Sequence, residues 1–146
     1  MQTTISIQKA DKKDLDEICQ LLVEANLPAI DLNPLLEHFF VAIENNRIIS
    51  VIGMDKYEDD GLLRSAVVQM GYRNTGIATA LVNQLFDYAK KQGVKSLYLI
   101  TNTAETYFEK KGFMKISKDA VPASILQSKE FNGLCPASSI IMFREI

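Results

Sequence analysis

The sequence predicts an α/β (α+β) fold: one mixed central sheet of about seven strands with helices on both faces. The first observation is the run from Leu62 to Ile100, where an apolar, Val-rich segment ends in a short polar turn, feeds an amphipathic helix, and is followed by a second apolar segment. Such a β-turn-α-β unit makes its two strands parallel neighbours with a right-handed crossover. The second is a pair of β-rich runs, Phe39–Glu44 and Arg47–Met54, joined by Glu44-Asn45-Asn46-Arg47, whose asparagines suit a tight hairpin turn. The third is the alternation of further short strand and helix patterns on either side of these two units.

Taken in order, Ile5 and Ile7 alternate with Ser6 and Gln8 as a half-buried strand would. Asp11 can cap a helix in which Leu15, Ile18, Cys19, Leu22 and Val23 share one face, with Lys13, Asp16, Glu17 and Gln20 on the other. Pro28 and Pro34 bracket a loop, and Asn33-Pro34 reads as the start of a short helix over 35–38 that includes His38, a packing or surface residue. The hairpin follows. Residues 55–60 with Gly61 read as a solvated acidic turn, and Leu62–Val68 as a third strand of the meander. Ile77, Leu81, Leu85 and Tyr88, flanked by Ala78, Val82, Phe86 and Ala89, mark the central helix, and Gly93 suits its end. Leu97–Ile100 is a buried strand, Thr103–Lys111 a short helix closed by Gly112, Phe113–Ile116 a strand, Pro122–Phe131 a helix begun by proline, and Ser139–Arg144 the last strand.

With 146 residues and 47% apolar content, the chain fits a single domain, 1–146, able to bury a core. Sixteen basic against eighteen acidic residues, without a long basic run, argue against a nucleic-acid surface. No apolar run reaches the roughly 18 residues of a membrane span, and the N-terminus lacks a basic-then-apolar leader, so no membrane is expected and the location expected is cytoplasmic. Two cysteines and one histidine are too few for the common structural zinc patterns, so no metal is expected.

The turn at 71–76 carries the chemistry. A strand that ends in small residues and enters a helix aims the first helical N–H groups, and the positive end of the helix dipole, at one spot suited to an anion. Gly71 and Gly76 have the spacing of a P-loop but are followed by Ile77-Ala78 rather than Lys-Ser/Thr, and a dinucleotide fingerprint lacks its third glycine. What stands there is Arg73-x-x-Gly76-x-Ala78, which closely resembles the R/Q-x-x-G-x-G/A signature of the GNAT family of N-acetyltransferases. Asn74 and Ala78 take places where that family often has glycine. Ala104 to Phe113, ending Phe108-Glu109-Lys110-Lys111-Gly112-Phe113, resembles the family's second motif, A-x-x-x-Y-E-K-x-G-F, at the expected distance. The resemblance spans nearly the whole chain and implies the GNAT-like three-layer fold. More narrowly, Leu134–Ser138 together with Leu63-Arg64-Ser65 resembles acetyltransferases associated with arsenic-resistance operons.

This resemblance implies acetyl-CoA as cofactor and a small-molecule amine as partner, for a protein acting as monomer or homodimer. By the same resemblance the backbones of Ala66, Val67 and Val68 would bind the pantetheine arm and polarise the thioester. Arg73 and the N–H groups of Asn74, Thr75, Gly76, Ile77, Ala78 and Thr79 would hold the pyrophosphate. Thr101 stands where the family often has asparagine. Phe108 stands at the cofactor where the family's second motif has the tyrosine that protonates the departing thiolate, and phenylalanine has no proton to give. Tyr107 and Ser65 are the remaining catalytic candidates, although one step along a helix turns Tyr107 by about 100°. No Glu or Asp lies between Leu62 and Val68 to act as general base.

Arg64 and Ser65 are expected on opposite faces of the strand, so only one can meet the acceptor. A substrate-facing Arg64 would suit a carboxylate, hence an amino-acid-like acceptor, or an arsenic-containing analogue of one; equally, Arg64 can pair with an acidic residue of the 55–60 segment. Cys135 is a further candidate for the substrate side. Three functions stay open: a small-molecule N-acetyltransferase, an acyl-CoA-binding module without efficient catalysis, and a protein acetyltransferase.

Overall fold

The computed structural model describes residues 5–25, 27, 32, 35–69, 71–72, 76–101, 104–126 and 139–146. Seven strands form one mixed sheet in the order β1-β2-β3-β4-β5-β7-β6, with helices in the connections. By its contacts the chain divides into two compact units, residues 1–54 with 65–88 and residues 55–64 with 89–146. Strands β3 (Arg47–Tyr57) and β4 (Asp60–Val68) contribute to both.

In the first unit, β1 (Ser6–Lys9) pairs antiparallel with β2 (Phe39–Glu44), which pairs antiparallel with β3. The half-buried β1 expected from alternation is instead exposed along its length, with Ile7 37% accessible, as suits a strand at the sheet edge. Asp11 does cap: its side chain accepts the Lys13 N–H at 2.8 Å while Asp14 returns a bond to the Asp11 N–H at 3.0 Å. The 3₁₀ turn Lys12–Asp14 started by this box runs into α1 (Leu15–Glu24). Ile18, Leu21 and Leu22 are buried and Cys19 packs beside them. Val23, expected in the core, is 64% exposed, because five residues beyond Ile18 is about 140° around the helix.

Asn45 and Asn46 have φ of 52° and 64°, the double left-handed conformation of a two-residue hairpin turn, and they set Glu44 against Arg47. Residues 35–38 are turn, not the helix that Asn33-Pro34 suggests; Leu36 takes φ 52° and turns fully into the core. Asn33 and Pro34 lie outside the described residues. Gly53 opposes Phe39, and a Cβ there would stand 2.3 Å from the Phe39 ring, so glycine is what lets this ring close the core. His38 Nδ1 lies 2.7 Å from the Tyr88 hydroxyl, which donates to the Glu37 carbonyl at 3.0 Å, while the Lys9 ammonium sits over the Tyr88 ring. His38 is thus a packing residue that helps seat the central helix, α2 (Ile77–Lys91).

In the second unit, β3 runs on to Tyr57 and only Glu58 and Asp59 form the turn before β4. The expected solvated turn over 55–60 is therefore mostly strand. Parallel pairing joins Asp60, Gly61 and Leu62 of β4 to Ser96, Leu97 and Tyr98 of β5 (Ser96–Thr101), as the β-turn-α-β pattern requires. β5 pairs along its whole length with β7 (Ile140–Glu145), and β7 with β6 (Met114–Lys115). α3 (Glu105–Lys110) ends where Gly112 takes φ 90°, and α4 (Ala123–Leu126) begins directly after Pro122. The remainder of the helix expected to Phe131 lies outside the described residues. Leu62, Tyr98, Val121 and Ile125 form the buried cluster of this unit.

Candidate active site

The site starts at a defect in β4. Between the Glu58–Asp59 turn and the bond from Gln69 N–H to Ile49 C=O (2.7 Å), β4 takes one residue more than β3. The extra residue coincides with Ser65, whose φ of 59° is a left-handed conformation rarely taken by non-glycine residues inside a strand. Arg64 and Ser65, expected on opposite faces of the strand, are both buried. Of the two readings of Arg64, the structure holds the ion pair: Nη1 lies 3.0 Å from Asp55 Oδ2, with the Arg64 side chain 1% and the Asp55 side chain 26% exposed.

Past the bulge the strand continues to Val68 with less cover. Ala66 is exposed and Val67 and Val68 are half-buried, so a short apolar segment is only partly covered before the turn. The Val67 carbonyl accepts the Ser50 hydroxyl at 2.7 Å. Tyr72 N–H returns to the Gln69 carbonyl at 3.1 Å, and the Tyr72 hydroxyl donates to Glu44 Oε1 at 2.5 Å, a bond that pushes the phenol above its usual pKa. Arg73, Asn74 and Thr75 lie outside the described residues. Gly76 follows with φ 85°, exposed, with no described atom within 4 Å of where a Cβ would sit. Among the described residues, the first helical bond of α2 runs from Ala80 N–H to the Gly76 carbonyl at 3.0 Å. Ala78 and Thr79 are half-buried and Ile77 is buried. An exposed glycine directly in front of a helix of 15 residues is a place where an anion such as a diphosphate would meet helical amides and the positive end of the helix dipole.

The second motif is placed differently from the first. Thr101 Oγ1 accepts the Ala104 N–H at 2.9 Å and so shapes the entry to α3. Phe108 is buried edge-on against Phe113, with ring centroids 5.5 Å apart. Tyr107 is half-buried, with the Lys111 ammonium 5.5 Å from its ring centre. Cys135 and its neighbours lie outside the described residues. Among the described residues no group of three or more His, Cys, Asp or Glu is placed to hold a metal, and no helix is long and apolar enough to cross a membrane.

The sequence reading missed Ser50 and Tyr72. Ser50 carried a signal, being the one polar residue in the run Ile48–Met54; Tyr72 carried none, since an aromatic residue in a polar turn has many roles.

The profile of the acetyltransferase (GNAT) family matches residues 6–113. The chain belongs to this family. Among curated relatives, the amino-acid acetyltransferase of Yersinia pseudotuberculosis is 20% identical over 97% of this chain but only 34% of its own, so the chain spans about a third of the length of the curated relatives it matches. N-Acetylglutamate synthase from Neisseria gonorrhoeae, solved with coenzyme A and N-acetyl-glutamate, superposes with a TM-score of 0.82 at 19% identity, covering 99% of this chain and 36% of that one. A GNAT-family acetyltransferase from Staphylococcus aureus Mu50 superposes at 0.78 with 21% identity over 97% of this chain and 99% of its own. These likenesses establish the fold of this GNAT chain.

Proposed function

We propose that this protein is an acetyl-CoA-dependent N-acetyltransferase acting on the amine of a small molecule, with an amino-acid-like acceptor as the first candidate. The observation that carries the reading is the partly covered segment Ala66–Val68, which follows the left-handed Ser65 and leads to the exposed Gly76 and the start of α2. Acetyl-CoA would supply an activated thioester. The backbone of Ala66, Val67 and Val68 would lie along the pantetheine arm, and the amides of Gly76, Ile77, Ala78 and Thr79, with Arg73, Asn74 and Thr75 before them, would take the pyrophosphate. Donors fixed beforehand at a developing oxyanion are the main source of rate in acyl transfer, and backbone N–H groups near the bulge are suited to that role. The amino-acid preference rests on the names of the relatives, the synthase crystallised with N-acetyl-glutamate and the amino-acid acetyltransferase.

A second reading is favoured by one observation. Phe108 stands, buried and without a hydroxyl, at the position of the expected thiolate acid, which suits a CoA-binding module with weak catalysis. Free-thiol release from acetyl-CoA separates the two. The panel takes amino acids, their phosphono and arseno analogues, polyamines and peptides. Release with one class of small amine supports the transferase and names its acceptor; tight CoA binding with no release above hydrolysis across the panel supports the binding module. Release with peptides alone transfers the proposal to protein acetylation.

A further inference from the structure

Two side-chain bonds reach from the β2–β3 hairpin to the chain that follows the bulge, and neither belongs to a regular ladder. From the middle of β3, Ser50, 1% exposed, donates to the Val67 carbonyl at 2.7 Å. From the end of β2, Glu44 accepts the Tyr72 hydroxyl at 2.5 Å. Between them the Gln69 amide is bonded to Ile49 of the same hairpin at 2.7 Å. Glu44, Arg47, Gln69 and Tyr72 share the wall of a cleft of about 130 Å³ there. A partly covered carbonyl beside a bulge gains from a fixed donor, and the Ser50 hydroxyl supplies one.

We infer that the β2–β3 hairpin is a brace for the cofactor segment, with Ser50 and Glu44 as positioning residues. This rests on the proposed CoA site. Ser50 fixes the peptide planes of the strand end that would run along the pantetheine arm. Glu44, through Tyr72, fixes where the chain leaves the strand for the pyrophosphate turn. The two halves of the brace therefore act on different parts of one ligand.

The test compares Ser50→Ala, Ser50→Thr, Tyr72→Phe and Glu44→Gln with the wild type in two measurements. One is exchange of the Gln69 and Tyr72 amides in the free protein, followed by NMR. The other is calorimetric affinity for CoA and for its pantetheine-free fragment, adenosine 3′-phosphate 5′-diphosphate. Ser50→Ala should weaken CoA about tenfold, the scale of one lost buried hydrogen bond, leave the fragment within about twofold, and speed Gln69 exchange. Ser50→Thr, which keeps the hydroxyl, should restore CoA affinity. Tyr72→Phe should weaken both ligands to a similar degree and speed Tyr72 exchange, whereas Glu44→Gln, which keeps an acceptor, should do so less. Should Ser50→Ala fail to fold, Ser50→Cys keeps the shape with a poorer donor and replaces it.

A Ser50→Ala protein that is less heat-stable but unchanged in CoA affinity and Gln69 exchange would make the hydroxyl structural only and overturn the brace. Equal losses for CoA and fragment in every variant would overturn the division of labour. A wild type that binds no CoA brings down the functional reading, and the exchange measurements then decide the brace by themselves.

Discussion

The two halves of β4 both carry apolar residues and differ in how far these are covered. From Asp60 to Arg64 the strand is closed: Gly61 and Leu62 are buried and paired with β5, and Arg64 is buried on Asp55. From Ala66 to Val68 it is less covered, Ala66 exposed and Val67 and Val68 half-buried, although all three are apolar. Apolarity alone did not choose which half would be covered. The change comes at Ser65, where one left-handed residue interrupts the strand, and the difference teaches that apolar residues can be left partly uncovered by interrupting a core strand rather than by polar substitution.

The sharpest way to break the comparison is to strike only the open side. Gly76→Glu should cut CoA affinity by about a hundredfold or more, equivalent to about 2.7 kcal/mol, because it places a carboxylate where amides should face pyrophosphate. The space is open, so the fold should survive, and Gly76→Ala, sharing the φ 85° strain without the charge, is the control. Calorimetry on the two variants checks it; unchanged CoA affinity in folded Gly76→Glu would remove the cofactor from this turn. Asp55→Ala strikes the closed half instead. It strips the buried guanidinium of an ion-pair partner and should cost roughly 2–3 kcal/mol in urea unfolding, below the full penalty for breaking a buried pair because Asp55 is partly exposed. Its CoA affinity should stay within about threefold of wild type. A large affinity loss with little destabilisation would merge the two halves into one functional unit.

Asp60, at the closed end, gives a smaller effect with a definite sign. Burial, and then the neighbouring Asp59 and Glu58, hold its carboxyl above the usual pKa, so the folded protein binds this proton more tightly than the unfolded chain. Stability from that group is fully present below its unfolded pKa near 3.8 and is lost as pH rises through the folded value. Asp60→Asn should therefore melt higher than wild type at pH 7, with the gap closing as pH falls below about 4; a constant gap would assign the gain to something other than ionisation. The smallest effect is expected from Tyr107→Phe. Its phenol is one helical step from the expected acid position, and thiol release should change less than about threefold. A loss of about a hundredfold in kcat with unchanged CoA affinity, the scale of a general acid, would make Tyr107 that acid.

What could be read from sequence divides along the same line. The strand-turn-helix-strand unit was legible because its periods change cleanly from 2 to 3.6, and the Asn45–Asn46 turn because few other residues accept two successive positive φ values. Asp55 was misassigned to a solvated turn, since an acidic residue inside a strand makes sense only once Arg64 is beside it, and that pairing depends on tertiary contact. Leu36 was misread because a proline permits a helix start without requiring one, and burial of the leucine decided for a turn. The bulge was invisible: serine has no special preference for left-handed φ, and the extra residue shows only when the partners of β4 are counted. For the proposed cofactor site, the glycine motif pointed to Gly76 and its neighbours, but Ser50 and Glu44 lie far away in the chain and became candidates only through the carbonyl and the hydroxyl they meet.

An extra residue in a strand has a genetic signature different from that of an ordinary site. Replacing Ser65 changes a side chain but leaves the residue count, so β4 can keep its offset through many substitutions. Deleting one residue between Asp60 and Ala66 removes the offset itself and returns the strand to one-to-one pairing with β3. Over evolutionary drift this segment should therefore tolerate changes of letter far better than changes of length, whereas the Glu58–Asp59 turn a few residues earlier can absorb an insertion by becoming a longer loop.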